Sequence, residues 1–529
     1  MNEQAQPPVI TADRSEFLRF FRWLFSWRGL HGTLIVLAWI VTLGALLYAE
    51  ENWRGRHAWN KYRRELEARG EQLDFNAFIP KAVPDKQNFA ATPFIQSWFP
   101  RGTSWEDDFA RADGKVAGPS KPKSGIASRQ FIDLAAYELA FQALQSGEID
   151  GHSSKFDSGK FDSASRAKAA PAVLELLKSC ETELAELHEA SRRPHTRYPV
   201  NYDLDNPWAI LLPHLARVKA VCRRLQVRAS AELAAGQTGK AFEDLKLLLY
   251  MADGLKEEDL LISYLVRVAC LQLGAQTLWE GLAEHRWSEP QLLELQTRLQ
   301  NVNFVADLRT PLGVEQAAAV LTVDLMRKRG NVDLDSHPPP VAAVLFRLLI
   351  PGGWFDLEKL NYCRLLQSQL KASFDPTNSR VIPHIVEANA RELEVALSGS
   401  PPSRFFHHRL AAGLLLPALD KSVRKAAIAQ TVANQAALAC ALERYRLANG
   451  QFPEKLDDLS PKFVASLPHD VLTGEAYKYR RNGQTSFILY SIGWDEKDDG
   501  GVAGKILYDE KSGDWVWDSA PPGSRVGSE

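Results

Sequence analysis

Cysteine is scarce in this chain. Five stand among 529 residues, at Cys180, Cys222, Cys270, Cys363 and Cys440, and no two are near neighbours. With no CxxC and no Cys/His cluster, a zinc site or a thioredoxin-like motif is not expected. A disulfide framework is not expected in a chain with this much core, so the five read as small buried apolar residues. Excess charge is also lacking. Lys and Arg number 63 against 65 Asp and Glu, a net of −2. The basic footprint of a nucleic-acid binder is missing, so no nucleic-acid partner is expected. Neither G-x-S-x-G, H-E-x-x-H, a P-loop nor a dinucleotide fingerprint occurs. Glu315 and Asp324 fall on one predicted helix but not close together on one face. No enzymatic activity is expected.

Hydrophobic residues make up 45% and charged residues 24%, ordinary globular values. That balance excludes global disorder and collagen-like or low-complexity classes. The length predicts about three domains.

One long apolar run stands out. Leu30–Tyr48, LHGTLIVLAWIVTLGALLY, contains no Asp, Glu, Lys or Arg. At ~1.5 Å per residue it reaches roughly 28 Å, close to the ~30 Å hydrocarbon core of a bilayer. Trp23, Trp27, Tyr48, Trp53 and Trp59 flank it like an interfacial belt. A buried core helix is seldom apolar all round for this length. A cleaved signal peptide has a shorter apolar region and a small-residue cleavage site, and none follows here. The expectation is one uncleaved membrane helix.

Arg14, Arg19, Arg22 and Arg28 precede the span; Arg54, Arg56, Lys61, Arg63, Arg64 and Arg69 follow it. A bare count places the C-terminal side in the cytoplasm. Long domains, however, translocate largely regardless of charge, and exporting an Arg-rich tail is opposed by the same bias. The N-terminus is therefore expected inside and the bulk outside.

The expected organisation is a tail over 1–29, a transmembrane helix over 30–48, and a juxtamembrane helix with a loop-rich segment over 49–163. A helical array follows over 164–417, then an α+β domain over 420–529. Pro80, Pro84, Pro93 and Pro100 mark the loop-rich part, and residues 101–128 read as a linker or exposed insertion. Residues 154–163 repeat Lys-Phe-Asp-Ser twice, too few copies for a solenoid. A long helix is expected through Leu211, Leu215, Val218, Val221 and Leu225, with Asp205, Asn206 and Pro207 as its start. Gly236 and Gly239 break it before a partner helix over 240–255. Further helices are expected over 258–283 and from Pro290, after Ser288 as cap. Val341–Ile350 and Leu410–Leu416 are apolar but too short to span, so they read as core helices or faces resting on the membrane.

Arg228–Leu249, RASAELAAGQTGKAFEDLKLLL, resembles a tetratricopeptide unit. Ala229 and Ala241 take the small positions, Gly236 the turn and Leu245 the large core position, whereas Leu225 and Glu232 replace the motif's aromatic residues. The resemblance implies an antiparallel helical array, as a plain helical hairpin also would.

Residues 420–448 read as one helix, capped by Asn449-Gly450. Strands are expected over 476–480, 486–491 and 515–517. ALERYRLANGQFPEKLDDL, then LPHD, EAYKYR and FILYSIGWDEKDDGG, resembles in order the globular domain of type II secretion pseudopilins. The resemblance implies a small extracytoplasmic α+β domain and a calcium loop after LYSxGxD. Matched position by position, Asp495 is the first acid, with Asp498 and Asp499 standing for the later ones; a solvated acidic loop is the alternative. The family's short leader and N-terminal filament helix are not matched. As a whole the chain resembles single-pass bacterial membrane proteins of this layout, which implies no activity.

The sequence thus predicts a mostly α protein of the bacterial cytoplasmic membrane with its bulk in the periplasm. The expected function is non-enzymatic: a scaffold or interaction protein whose array meets a protein partner. The alternative is an accessory component of a secretion or pilus-like apparatus.

Overall fold

The computed structural model describes residues 26–99, 108–117, 129–146, 163–202, 204–331, 339–419 and 421–520. Arg14, Arg19, Arg22, Trp23 and the Lys-Phe-Asp-Ser tandem over 154–162 lie outside the described residues. The protein is mostly helical, with its strands in two small sheets. In chain order the principal helices begin with α1 (Trp27–Ala68), α2 (Asp108–Ala117), α3 (Leu134–Ser146), α4 (Ser163–Leu177) and α5 (Glu181–Ala190). Next come α6 (Pro213–Ala234), α7 (Thr238–Gly254), α8 (Leu261–Ala283), α9 (Glu289–Gln300) and α10 (Arg309–Arg329). The last are α11 (Pro340–Leu349), α12 (Gly352–Leu365), α13 (Pro383–Ala396) and α14 (Lys421–Asn449). The chain divides into two compact units, Met1–Ala68 with Val323–Leu360, and Arg69–Thr322 with Asn361–Glu529.

The first unit is organised by α1, 42 residues long. None of its most apolar window is buried. Thr33 and Thr42 turn their hydroxyls back onto the Gly29 and Ala38 carbonyls, at 2.8 and 2.7 Å, so neither hydroxyl is left unmet in the apolar run. Beyond Tyr48 the same helix becomes charged, with Arg54–Glu51 and Arg63–Glu67 pairs at 2.6 and 2.7 Å. Here it touches the 340–360 segment. A Cβ on Gly55 would fall 2.1 Å from the Gly353 oxygen, and one on Gly353 would fall 2.2 Å from the Glu51 oxygen. Only paired glycines allow that approach. The Gly353 N–H donates to Asn52 Oδ1 at 2.9 Å, and Trp354 Nε1 donates to Glu51 Oε2 at 3.0 Å. Trp59, expected in an interfacial belt, is instead buried under the Lys359 ammonium, 5.1 Å from its ring.

The second unit is a stack of antiparallel helices. Gly236, at φ +75, turns α6 into α7, with the Gln237 N–H on the Glu232 carbonyl at 2.7 Å. Ala229, Ala241 and Leu245 are fully buried where the tandem-helix pattern puts them. α8 crosses both: a Cβ on Gly274 would meet Leu249, Leu248 and Leu245 side chains at 2.9 to 3.6 Å. The α6 start differs from expectation. Pro213 sets its first turn, and Pro207 belongs to a separate 3₁₀ turn capped by Asn206. Two prolines six positions apart leave Leu211 outside the helix, since each removes an N–H donor. Part of the expected linker is also helical: α2 packs Phe109 on the Tyr137 ring of α3 at 5.9 Å.

α14 and the sheet belong to this same unit. Strands β1 (Phe374–Asp375) and β2 (Arg380–Val381) form the smaller sheet; β3 (Lys478–Asn482), β4 (Ser486–Ser491) and β5 (Trp515–Asp518) pair antiparallel in that order, with Leu489 opposite Tyr479 and Trp517. Gln435 of α14 donates to the Trp515 carbonyl and Trp279 of α8 to the Asp518 carbonyl, both at 2.7 Å. Arg444 of α14 joins Glu289 and Gln296 of α9 at 2.8 and 2.9 Å. α8, α9, α14 and the sheet are thus tied to one another by buried side-chain hydrogen bonds.

Candidate functional site

The acidic loop after β4 folds as a hydrogen-bonded turn. Asp498 Oδ1 accepts from the Tyr490 hydroxyl at 3.2 Å and from the Gly500 N–H at 3.0 Å, while Asp495 Oδ1 accepts from the Lys497 N–H at 3.3 Å. The residue that closes the loop is Asp514, just before β5. Its two oxygens take the Asp499 and Gly501 N–H groups, at 3.2 and 2.6 Å. Burial pushes the Asp514 carboxyl above its usual range against the pull of those two donors. Outside the loop's own turn, His384 of α13 meets Glu496 at 3.0 Å. Among the described residues, no group of three or more His, Cys, Asp or Glu side chains is placed to hold a metal ion. Asp495 and Asp498, two of the acids that the resemblance assigns to calcium, each accept local donors through one oxygen, and Asp499 enters the turn through its backbone.

A different constellation forms on the helical stack. The ends of α4, α5, α6 and α7 surround a groove of about 670 Å³. Leu174 and Leu177 supply apolar surface, while Lys178, Glu181, Lys240 and Glu243 supply charge. Asp244 lies at the base, nearly fully buried. Arg228 grips it with two guanidinium donors, and His188 Nε2 stands 2.9 Å from its Oδ1. One helical turn past Arg228, Glu232 is only 5% exposed, and its Oε2 has no hydrogen-bond partner among the described residues. Burial, reinforced by the Asp244 charge, pushes the Glu232 carboxyl up to about 8, with Arg228 and Lys240 opposing. Burial thus favours the neutral form of Glu232, which can donate a hydrogen bond beside the Asp244 carboxylate. The groove can hold a polar segment that offers both an acceptor and a positive charge.

Sequence reasoning placed Glu232 at a motif position and missed the rest. The four polar residues sit on three helices, 56 positions apart at the His188–Asp244 contact. Their one local signal is Arg228 and Glu232, spaced four apart and so on one side of α6, whose buried residues also include His214, Arg224, Gln226 and Ser230.

No protein-family model, curated protein or solved structure matches the chain.

Proposed function

We propose that the protein is a membrane-anchored, non-enzymatic interaction protein, held by α1 in a bacterial cytoplasmic membrane with its second unit in the periplasm. One observation carries this reading: the groove over Arg228, Asp244 and Glu232, in a helical stack on a chain whose apolar α1 window is bare of protein contact. Mixed charge around an apolar wall is what a protein segment needs for register and orientation. A photo-crosslinking residue at Lys240, on the groove, should give a discrete adduct in cells. The same probe at exposed Leu293 on α9 should not. No adduct at either position, or equal adducts at both, defeats the reading. For orientation, a phosphatase fused at Gly500 should be active and a cytoplasm-only reporter there silent.

The secretion-apparatus reading is favoured by the C-terminal arrangement. A long helix, α14, followed by the antiparallel β3–β4–β5 sheet is the order of elements that the pseudopilin resemblance implies. If the Lys240 adduct contains a secretion component, this second reading takes precedence.

A further inference from the structure

The first unit holds a surface that the interaction reading does not use. α11 carries Val341, Val344, Leu345, Leu348 and Leu349 on one side, exposed by 48 to 72%. Their spacing of three, four, seven and eight is one stripe of a helix. The opposite side packs through Ala343 on Gly330, whose Cβ position lies 2.6 Å from the Ala343 oxygen. The end of α11 is fastened to α1 at the point where the apolar run stops: the Tyr48 hydroxyl lies 3.4 Å from the Arg347 and Ile350 carbonyls. Ten residues rise only ~15 Å, about half a bilayer. The chain then bends by 76° into the next helical run, so α11 does not continue into a straight span. Between α1, α10 and α11 opens a cavity of about 660 Å³. Arg56, Arg327 and Arg347 line it with His57, and no Asp or Glu does. Among the described residues Arg56 has no ion-pair partner, and Arg327 has only Asp356 at 3.8 Å.

We propose that α11 lies in the membrane interface and that the arginine cavity beside it takes the phosphate of an anionic phospholipid headgroup. The apolar stripe enters the acyl boundary, Trp53 and Tyr48 sit at headgroup depth, and the guanidinium groups meet the phosphate oxygens. Three cations lining the cavity, of which only Arg327 has a carboxylate nearby, select an anionic lipid over a zwitterionic one, whose own ammonium meets like charge. The inference rests on α1 spanning the bilayer.

The test uses the full-length chain in nanodiscs. All five native cysteines are buried, so an added surface cysteine is the site that labels. Spin labels at Leu43→Cys and Leu348→Cys should both be relaxed by oxygen more than by an aqueous nickel chelate. Relaxation by nickel at Leu348 alone sinks the α11 placement and leaves the span intact; nickel access at Leu43 sinks the span itself. In native mass spectrometry the protein should retain phosphatidylglycerol over phosphatidylcholine. Arg56→Gln with Arg347→Gln should lower that retention by roughly tenfold or more, the loss of at least one charge-assisted contact. Equal retention of the two lipids, no effect of the double substitution, or full displacement by millimolar inorganic phosphate would each overturn the headgroup assignment, the last in favour of a free-anion site.

Discussion

Two helices among the described residues are long and apolar enough to cross a bilayer, and the chain uses them in opposite ways. α1 leaves its apolar window entirely unburied; α8 buries 67% of its own within the second unit. The contrast lies in what interrupts the apolar residues. The α1 run carries no charged side chain, and its two threonines satisfy themselves on the preceding turn. α8 carries Arg267, Gln276 and Glu280, each nearly or fully buried and each with a partner on another element. Glu280 meets Arg166 at 2.6 Å and accepts from the Ile132 N–H at 2.9 Å, while Arg267 meets Asp307 at 2.6 Å. Gly274 and Gly281 let neighbours approach closely. Apolarity selects burial; the buried polar groups and glycines decide whether protein or lipid provides it.

The strongest way to break the contrast is Glu280→Ala. It removes the closer of the two carboxylates on the Arg166 guanidinium, itself only 1% exposed, leaving Glu284 at 2.9 Å, and it also unpairs the buried Ile132 N–H. The cost should be ~3–5 kcal/mol in chemical unfolding of the detergent-solubilised chain. Leu43→Ala, on the bare face of α1, should leave that transition where it is.

A second test uses pH. Glu232 keeps its proton to about 8 in the fold, against an ordinary carboxyl value of 4.5. In that window the folded state binds more protons than the unfolded one, so stability falls as pH rises from about 4.5 to about 8. Its contribution is complete below the lower limit and lost as pH passes the upper. Glu232→Gln should flatten that slope, and at pH 8.5 it should stabilise by roughly 2–4 kcal/mol, from ~1.4 kcal/mol per pH unit with allowance for residual hydration. A melting series from pH 4 to 9 reads it directly.

Glycine substitutions sharpen the comparison with smaller effects. A Cβ on Gly281 would fall 2.2 Å from the Trp287 ring, so Gly281→Ala should cost ~1–3 kcal/mol. Gly44 has nothing within 4 Å of that position. Gly44→Ala should change the melting point little and upward, by less than ~1 kcal/mol in helix propensity.

Much of this architecture was legible wherever local chemistry decides. The apolar run lies within α1, the Gly236 turn closes α6 on α7, and Ser288 with Gln291 forms a capping box at α9. α14 ends at Asn449, and Gly450 takes φ +79 after it. The expected strands fall within about two residues of β3, β4 and β5. What was not legible depends on contacts between distant segments. Gly353 is an ordinary turn glycine until it meets Gly55. The residue that closes the acidic loop is Asp514, beyond the acidic cluster, because loop closure needs an acceptor on the returning strand. The Arg228–Asp244–His188 group joins helices whose individual patterns read as plain apolar faces.

The contact face of α1 has a further consequence. Tyr48, Asn52, Gly55 and Trp59, spaced four, three and four, all meet the 347–359 region. These positions form a seven-residue rotational index. The angle at which the apolar run faces α11 is therefore counted out in residues. One residue inserted between Tyr48 and Gly55 would swing the run by ~100°, whereas seven would restore its bearing and lift it by ~10 Å. Chain length in this stretch thus acts as a gear between the anchor and the helix beside it.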